Sequence, residues 1–193
     1  MSKGKGRRLV YIPEELIEGA LEASRKRGES IGKFVEVTLR QAIRTSRFDY
    51  SPERAGDLLE AMHAQRILGG AFVPIDVLDY LITKAYRDER ELLQAKWYES
   101  GRWHGKYIRE KFENPAQALK TFLEATRWDL GEVAVKQNGN RVKLRCVSTV
   151  LTAEATELLS KFIEGAMHGM GYETEDADNM KGMITLQFIM PDI

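Results

Sequence analysis

The sequence predicts an α+β protein built in two parts. One is a short strand-helix-helix head. The other is a larger body with an antiparallel four-stranded sheet packed on helices. Three observations carry this. Apolar residues recur at helical spacing through most of the chain. That period changes to two around an Asn138-Gly139 pair and again near the C-terminus. Charge also shifts along the chain. Residues 1–48 hold eleven Lys and Arg against six Asp and Glu, a balance of +5, and the remainder holds 18 against 23, a balance of −5.

The head begins with Arg7-Arg8-Leu9-Val10-Tyr11-Ile12, an extended run with β-branched and aromatic residues. Pro13, Glu14 and Glu15 open a helix, since proline suits the first turn and acids suit its positive end. Leu16, Ile17, Ala20 and Leu21 give it an apolar stripe, and Arg25-Lys26-Arg27-Gly28 closes it. Ser30 caps a second helix with stripe residues Ile31, Phe34, Val35, Leu39, Ala42 and Ile43. A lone strand cannot satisfy its backbone groups, and elements this short bury too little surface. The head is therefore expected to be an obligate dimer, with two strands paired and four helices sharing a core.

A helical connector is expected over 49–67, opened by Ser51-Pro52-Glu53 and ended by Gly69-Gly70. The body, 68–193, starts with a long helical region that carries Val77, Leu78, Leu81, Ile82, Ala85, Leu92 and Leu93. It is read as one helix or two abutting ones. Gly101 and Gly105 interrupt good helix formers, at a cost in helix stability, and so predict close approach of another element. Asn114-Pro115 starts a further helix. A hairpin follows, with Val142, Leu144 and Cys146 facing one way and Lys143 and Arg145 the other. Thr152 caps a helix with Leu158, Leu159, Phe162, Ile163, Ala166 and Met167 on its stripe, and a second hairpin completes the chain.

The head resembles the ribbon-helix-helix DNA-binding family, the fold of the Arc and MetJ repressors, over about residues 7–46. The residues that carry the likeness are the strand, the Pro13-Glu14-Glu15-Leu16 helix start, the Gly28 turn and the Ser30 helix start. The resemblance implies that the paired strands enter the major groove of double-stranded DNA. Alternation back from Pro13 places Arg7, Leu9 and Tyr11 toward the bases, and Val10 and Ile12 toward the core. Family members often have polar residues at all three base-facing positions, and here Leu9 and Tyr11 depart from that. Arg7 can grip guanine with two hydrogen bonds. Ser30, Gly32 and Lys33 would hold a phosphate at the second helix start, and Arg8, Lys3 and Lys5 would add phosphate contacts. Two dimers side by side on DNA, a tetramer, are also in keeping with the family.

The body resembles the 4-vinyl-reductase domain, whose fold is shared by subunits of TRAPP tethering complexes, over about residues 68–190. The likeness rests on Glu99-Ser100-Gly101-Arg102 with Gly105, on Gly131-Glu132-Val133, and on Phe162-Ile163-Glu164-Gly165-Ala166 followed by Gly171-Tyr172. It implies dimerisation and an apolar pocket that senses a small molecule. The aromatic, sulfur and apolar residues expected to line such a pocket are Trp97, Trp103, Phe122, Trp128, Cys146, Phe162 and Met167. Many members carry paired cysteines near the last hairpin. This chain has none there, so no metal is expected.

No GxxxxGK[ST], GxGxxG or HExxH motif occurs, and the three histidines are widely separated. No catalytic residue, cofactor or enzyme activity is expected. A single cysteine excludes an internal disulfide framework. No apolar run approaches the roughly 20 residues of a membrane span. MSKGKGRRL lacks the apolar stretch of a signal peptide. The expected setting is the cytoplasm, without membrane attachment. The reading is a dimeric transcriptional regulator, a repressor or an activator. The alternative is an interaction, tethering or small-molecule-binding protein whose head only dimerises.

Overall fold

The computed structural model describes residues 9–48 and 51–191. The chain divides into two compact units, Met1–Ala55 and Gly56–Ile193. Six α-helices and one four-stranded antiparallel sheet are present among the described residues, so the protein is α+β.

The first unit holds α1 (Glu14–Lys26) and α2 (Ile31–Thr45), followed by a 3-10 turn over Ser46–Phe48. Pro13 stands before α1, and its carbonyl accepts from Leu16 and Ile17. Acids fill the first turn of α1 and Arg25 and Lys26 the last, as the helix dipole favours. Gly28 takes a φ of 65°, a left-handed conformation that glycine adopts without strain, and so turns the chain into α2. The Ser30 hydroxyl accepts from the Lys33 N–H at 3.3 Å, which is the expected cap. The Arg27 guanidinium lies 5.3 Å from the Phe34 ring centroid and steadies that corner. Leu9–Ile12 has no strand partner among the described residues of the single chain. A ribbon of the expected kind takes its partner strand from a second copy.

In the second unit, helix α3 (Pro52–Ile67), which spans the boundary between the units, buries Ala61 and Ala64. Helix α4 runs over Ile75–Lys111 with a kink at Glu89 (φ −134°, ψ 39°), so both readings of this region hold at once. Glu157 accepts from Tyr86, Arg90 and Gln94, tying both sides of the kink to one carboxylate. Helix α5 (Pro115–Thr126) is capped by Asn114, and α6 (Ala153–Met170) by Thr152. The strands are β1 (Glu132–Asn138), β2 (Arg141–Val147), β3 (Glu173–Met180) and β4 (Met183–Ile189), in the order β1-β2-β4-β3.

Helices α4 and α6 pack backbone to backbone. A Cβ on Gly101 would fall 2.0 Å from the Phe162 carbonyl oxygen, and one on Gly105 would fall 1.9 Å from that of Ala166. Gly165 and Gly169 on α6 face Tyr98 and Arg102 on α4 just as closely. Glycine's cost in helix propensity is offset by this close crossing. The stripe of α6 lies across it: Leu158, Leu159, Ile163, Ala166 and Met167 are almost wholly buried. They meet the inward sheet face of Val142, Leu144, Cys146, Ile184, Leu186 and Phe188.

The first hairpin differs from expectation by one residue. Asn138 pairs with Arg141, so the turn residues are Gly139-Asn140 rather than Asn138-Gly139. Gly139, with φ of 59°, supplies the positive φ. This register sets Val133 opposite Cys146 and Val135 opposite Leu144 on the buried face.

Candidate functional site

The head leaves its stripes incompletely covered: Ile17, Leu21, Phe34 and Val35 are half-buried, and Leu16, Leu39 and Ile43 are exposed. Among its described residues only Ser24 is buried. Leu16 and Leu39 are each 58% exposed and Ile43 is 64% exposed. Leu9, Val10 and Tyr11 are also exposed, so burial within the single chain does not separate a base face from a core face. At the start of α2 the Ser30 oxygen takes the Lys33 N–H, while Ile31 and Gly32 keep their N–H groups free of partners among the described residues. A Cβ on Gly32 would meet nothing within 4 Å, so a ligand atom can approach the backbone there. Lys33 is exposed on the same turn. Lys3, Lys5, Arg7 and Arg8, four of the expected DNA contacts, lie outside the described residues.

The body scatters the expected pocket residues. Trp103 and Trp128 stand on the surface, and the Trp128 indole N–H donates to the Ala125 carbonyl at 2.9 Å. Trp97 is half-buried against the core. Cys146 and Met167 are buried where sheet and α6 meet. Burial pushes the Cys146 thiol up to about 12, so it is an inert small hydrophobe there. Phe122 and Phe162 do come together, with ring centroids 6.4 Å apart.

Sequence reading missed the residue beside those two rings. His104 is 5% exposed, 5.2 Å from the Phe122 ring and 5.0 Å from the Phe162 ring. Its Nδ1 lies 2.8 Å from the Ser100 carbonyl oxygen. A carbonyl only accepts, so Nδ1 carries the hydrogen and the neutral ring leaves Nε2 as a bare acceptor. Burial holds the imidazole below its ordinary value, and the Ser100 bond opposes that shift. Nε2 has no hydrogen-bond partner among the described residues. The signal lay in the Gly101-Gly105 spacing, because His104 falls on the face those glycines turn toward α6. Trp103, two positions from Gly101, falls about 200° round the helix and faces away.

One turn along α4 from His104, a cleft of about 280 Å³ opens between α3, the end of α4 and α5. Ala61, Ala64, Ile108, Phe112 and Phe122 line it. Phe122 thus stands between this cleft and the His104 ring. Asp57, Glu60 and Glu113 also belong to its lining. No group of three His, Cys, Asp or Glu side chains among the described residues is placed to hold a metal ion. No helix among them is long and apolar enough to cross a membrane.

No protein-family model matches the chain, and no curated protein matches it. A solved structure from work on the function of heme distortion in the H-NOX family is similar at 15% identity, over 79% of this chain and 91% of that one, with a TM-score of 0.38. A likeness of that degree carries nothing over to this chain.

Proposed function

We propose that this chain is a dimeric DNA-binding transcriptional regulator that reads the major groove with a paired β-ribbon, and that its body takes an apolar small molecule as effector. The observation that carries this reading is the uncovered head. Helices α1 and α2 are amphipathic, yet their stripe residues Leu16, Leu39 and Ile43 stay exposed in the single chain. A unit that buries only Ser24 among its described residues lacks a core of its own, because fully burying each Leu or Ile is worth about 1.5–3 kcal/mol. A second copy laid on the same face supplies that burial and pairs the two Leu9–Ile12 segments. The free N–H groups of Ile31 and Gly32, beside Lys33, suit a backbone phosphate.

For the effector, the support is the unpaired Nε2 of His104 near an apolar cleft. A ligand that displaces the Phe122 ring and donates one hydrogen bond would satisfy it. A ligand that favours one arrangement of the body shifts the freedom of the heads by its differential affinity. p-Cresol and p-xylene differ only in that donor. The expectation is that p-cresol binds about tenfold tighter by calorimetry, and that His104→Phe abolishes the preference.

The apolar side chains of Leu9 and Tyr11 favour a second reading, in which the head only dimerises. Fluorescence anisotropy with mixed-sequence duplex DNA decides between the two. The proposal expects binding that weakens steeply with salt and is lost in Arg7→Ala/Lys33→Ala. No binding even at low salt would make the head a dimerisation clamp.

A further inference from the structure

The outward face of the sheet is divided by charge. Asn179 donates to the Ser160 hydroxyl, and Thr174 meets Nε2 of His168, so these two β3 side chains point in toward α6. Alternation then turns Asp176 and Asp178 outward, opposite Gln187 and Thr185 of β4. On the other half, Lys136 stands directly opposite Lys143, and Arg145 is their neighbour on β2. Arg141–Glu175 is an ion pair on this face at 2.8 Å. Lys136, Lys143, Arg145, Asp176 and Asp178 form none among the described residues. Like charges directly opposed across strands are unfavourable, and Lys136 and Lys143 have no acid beside them to relieve it.

We propose that this face pairs with the same face of a second copy, about a two-fold axis roughly parallel to the strands and between β2 and β4. Such an axis lays β1 over the partner's β3 and β2 over the partner's β4, and it keeps each cross-strand row in register. Lys136 then meets the second copy's acidic strand at the level of Asp176. Arg145 lies over the level of Thr185, within reach of Asp178. Val147 and Met183, opposite each other on the same outward face, form an apolar end to the contact. A patch that is basic on one half and acidic on the other complements itself under this operation. A two-fold perpendicular to the strands would instead lay β1 over the partner's β1 and bring basic half against basic half.

The face measures roughly 19 by 24 Å, about 450 Å² a side, against about 800 Å² per partner in a standard interface. Free bodies therefore associate weakly, and the contact draws on two copies already held together by their heads. For that effective concentration alone it rests on the proposed head dimer.

The test is carbodiimide coupling, which joins an amine directly to a carboxylate, on full-length chain refolded as a mixture of normal and heavy-isotope copies. Within one chain Lys136 and Asp176 are three strand spacings apart, about 14 Å, too far for a direct bond. The expected result is mixed-isotope peptides that join Lys136 or Lys143 to Asp176 or Asp178. Their yield falls several-fold near 1 M salt, where the screening length is about 3 Å. Lys136→Glu removes them, and coupling at Lys143 is restored when Asp176→Lys is added to swap the pair. Mixed-isotope links confined to the head would overturn the proposal and leave the head dimer standing. An absence of any mixed-isotope link would overturn the sheet pairing, and sedimentation of the same sample, as dimer or monomer, would separately keep or overturn the head dimer. A sheet-face yield indifferent to salt and to Lys136→Glu would overturn the charge pairing.

Discussion

Two sets of amphipathic helices occur in this chain, and they end differently. On α2, Leu39 and Ile43 remain more than half exposed. On α5 and α6, Leu119, Leu158 and Ile163 are fully covered, by the sheet and by the α4–α6 crossing. The stripes look alike in sequence, so periodicity announces that a cover exists without saying who supplies it. The body carries its own cover in the two hairpins. The head buries only Ser24 among its described residues, and in the proposed reading a second copy supplies the cover.

The sharpest way to break this contrast is to make the head stripe polar. Leu39→Lys with Ile43→Lys alters four side chains per dimer, each worth about 1.5–3 kcal/mol if covered. The expected loss of 6 kcal/mol or more raises the dimer dissociation constant at least about ten-thousand-fold. Sedimentation velocity should show monomer with the body's melting unchanged. Both side chains are exposed in the single chain, so a head that stood alone would tolerate the change. In the body, Gly101→Val drives a side chain into the backbone of Phe162. A loss of about 4 kcal/mol is expected in urea unfolding followed by circular dichroism. An unaltered midpoint would mean that α4 and α6 are not in backbone contact.

Two smaller effects probe the body through pH. The folded His104 titrates below its unfolded value of about 6.5, so beneath that pH the unfolded chain binds more protons and stability falls. The slope approaches at most about 1.4 kcal/mol per pH unit, and His104→Phe should flatten it. Burial works against the Asp129 carboxylate, but the two-pronged Arg127 bond prevails and holds it below its ordinary value. Its contribution is full above about pH 4 and is lost as pH falls through the folded value. Arg127→Ala should cost about 1 kcal/mol at neutral pH and remove that acid limb. Stability curves of the variants that track wild type through both windows would show the two groups exposed.

What sequence made legible here was local. The caps at Ser30, Asn114 and Thr152, the Gly28 turn and the positions of both hairpins are set by residues within four or five of each other. The α+β class followed from them. The hairpin turn slipped by one residue because Asn138 and Asn140 both flank Gly139, and the pairing of Val135 with Leu144 decides between them. The site was less legible. The cleft joins Ala61 to Phe122, far apart in the sequence, and an aromatic residue type does not by itself show which face it occupies. Trp103 sits on the side of α4 away from Gly101, and Trp128 sits beyond the end of α5. His104 has no Cys or His close by in sequence, and its place is legible only from the Gly101-Gly105 face that turns it inward.

The central claim is that head and body differ in who covers them, and amide hydrogen exchange at several protein concentrations tests it most directly. Amides of α6 and β2 should exchange at rates independent of concentration, because their cover lies in the same chain. Protection in α1 and α2 should rise with concentration and collapse on dilution, because theirs lies in a second copy. Equal protection of α1 and α2 at every concentration, in a chain that sediments as a monomer, would contradict it.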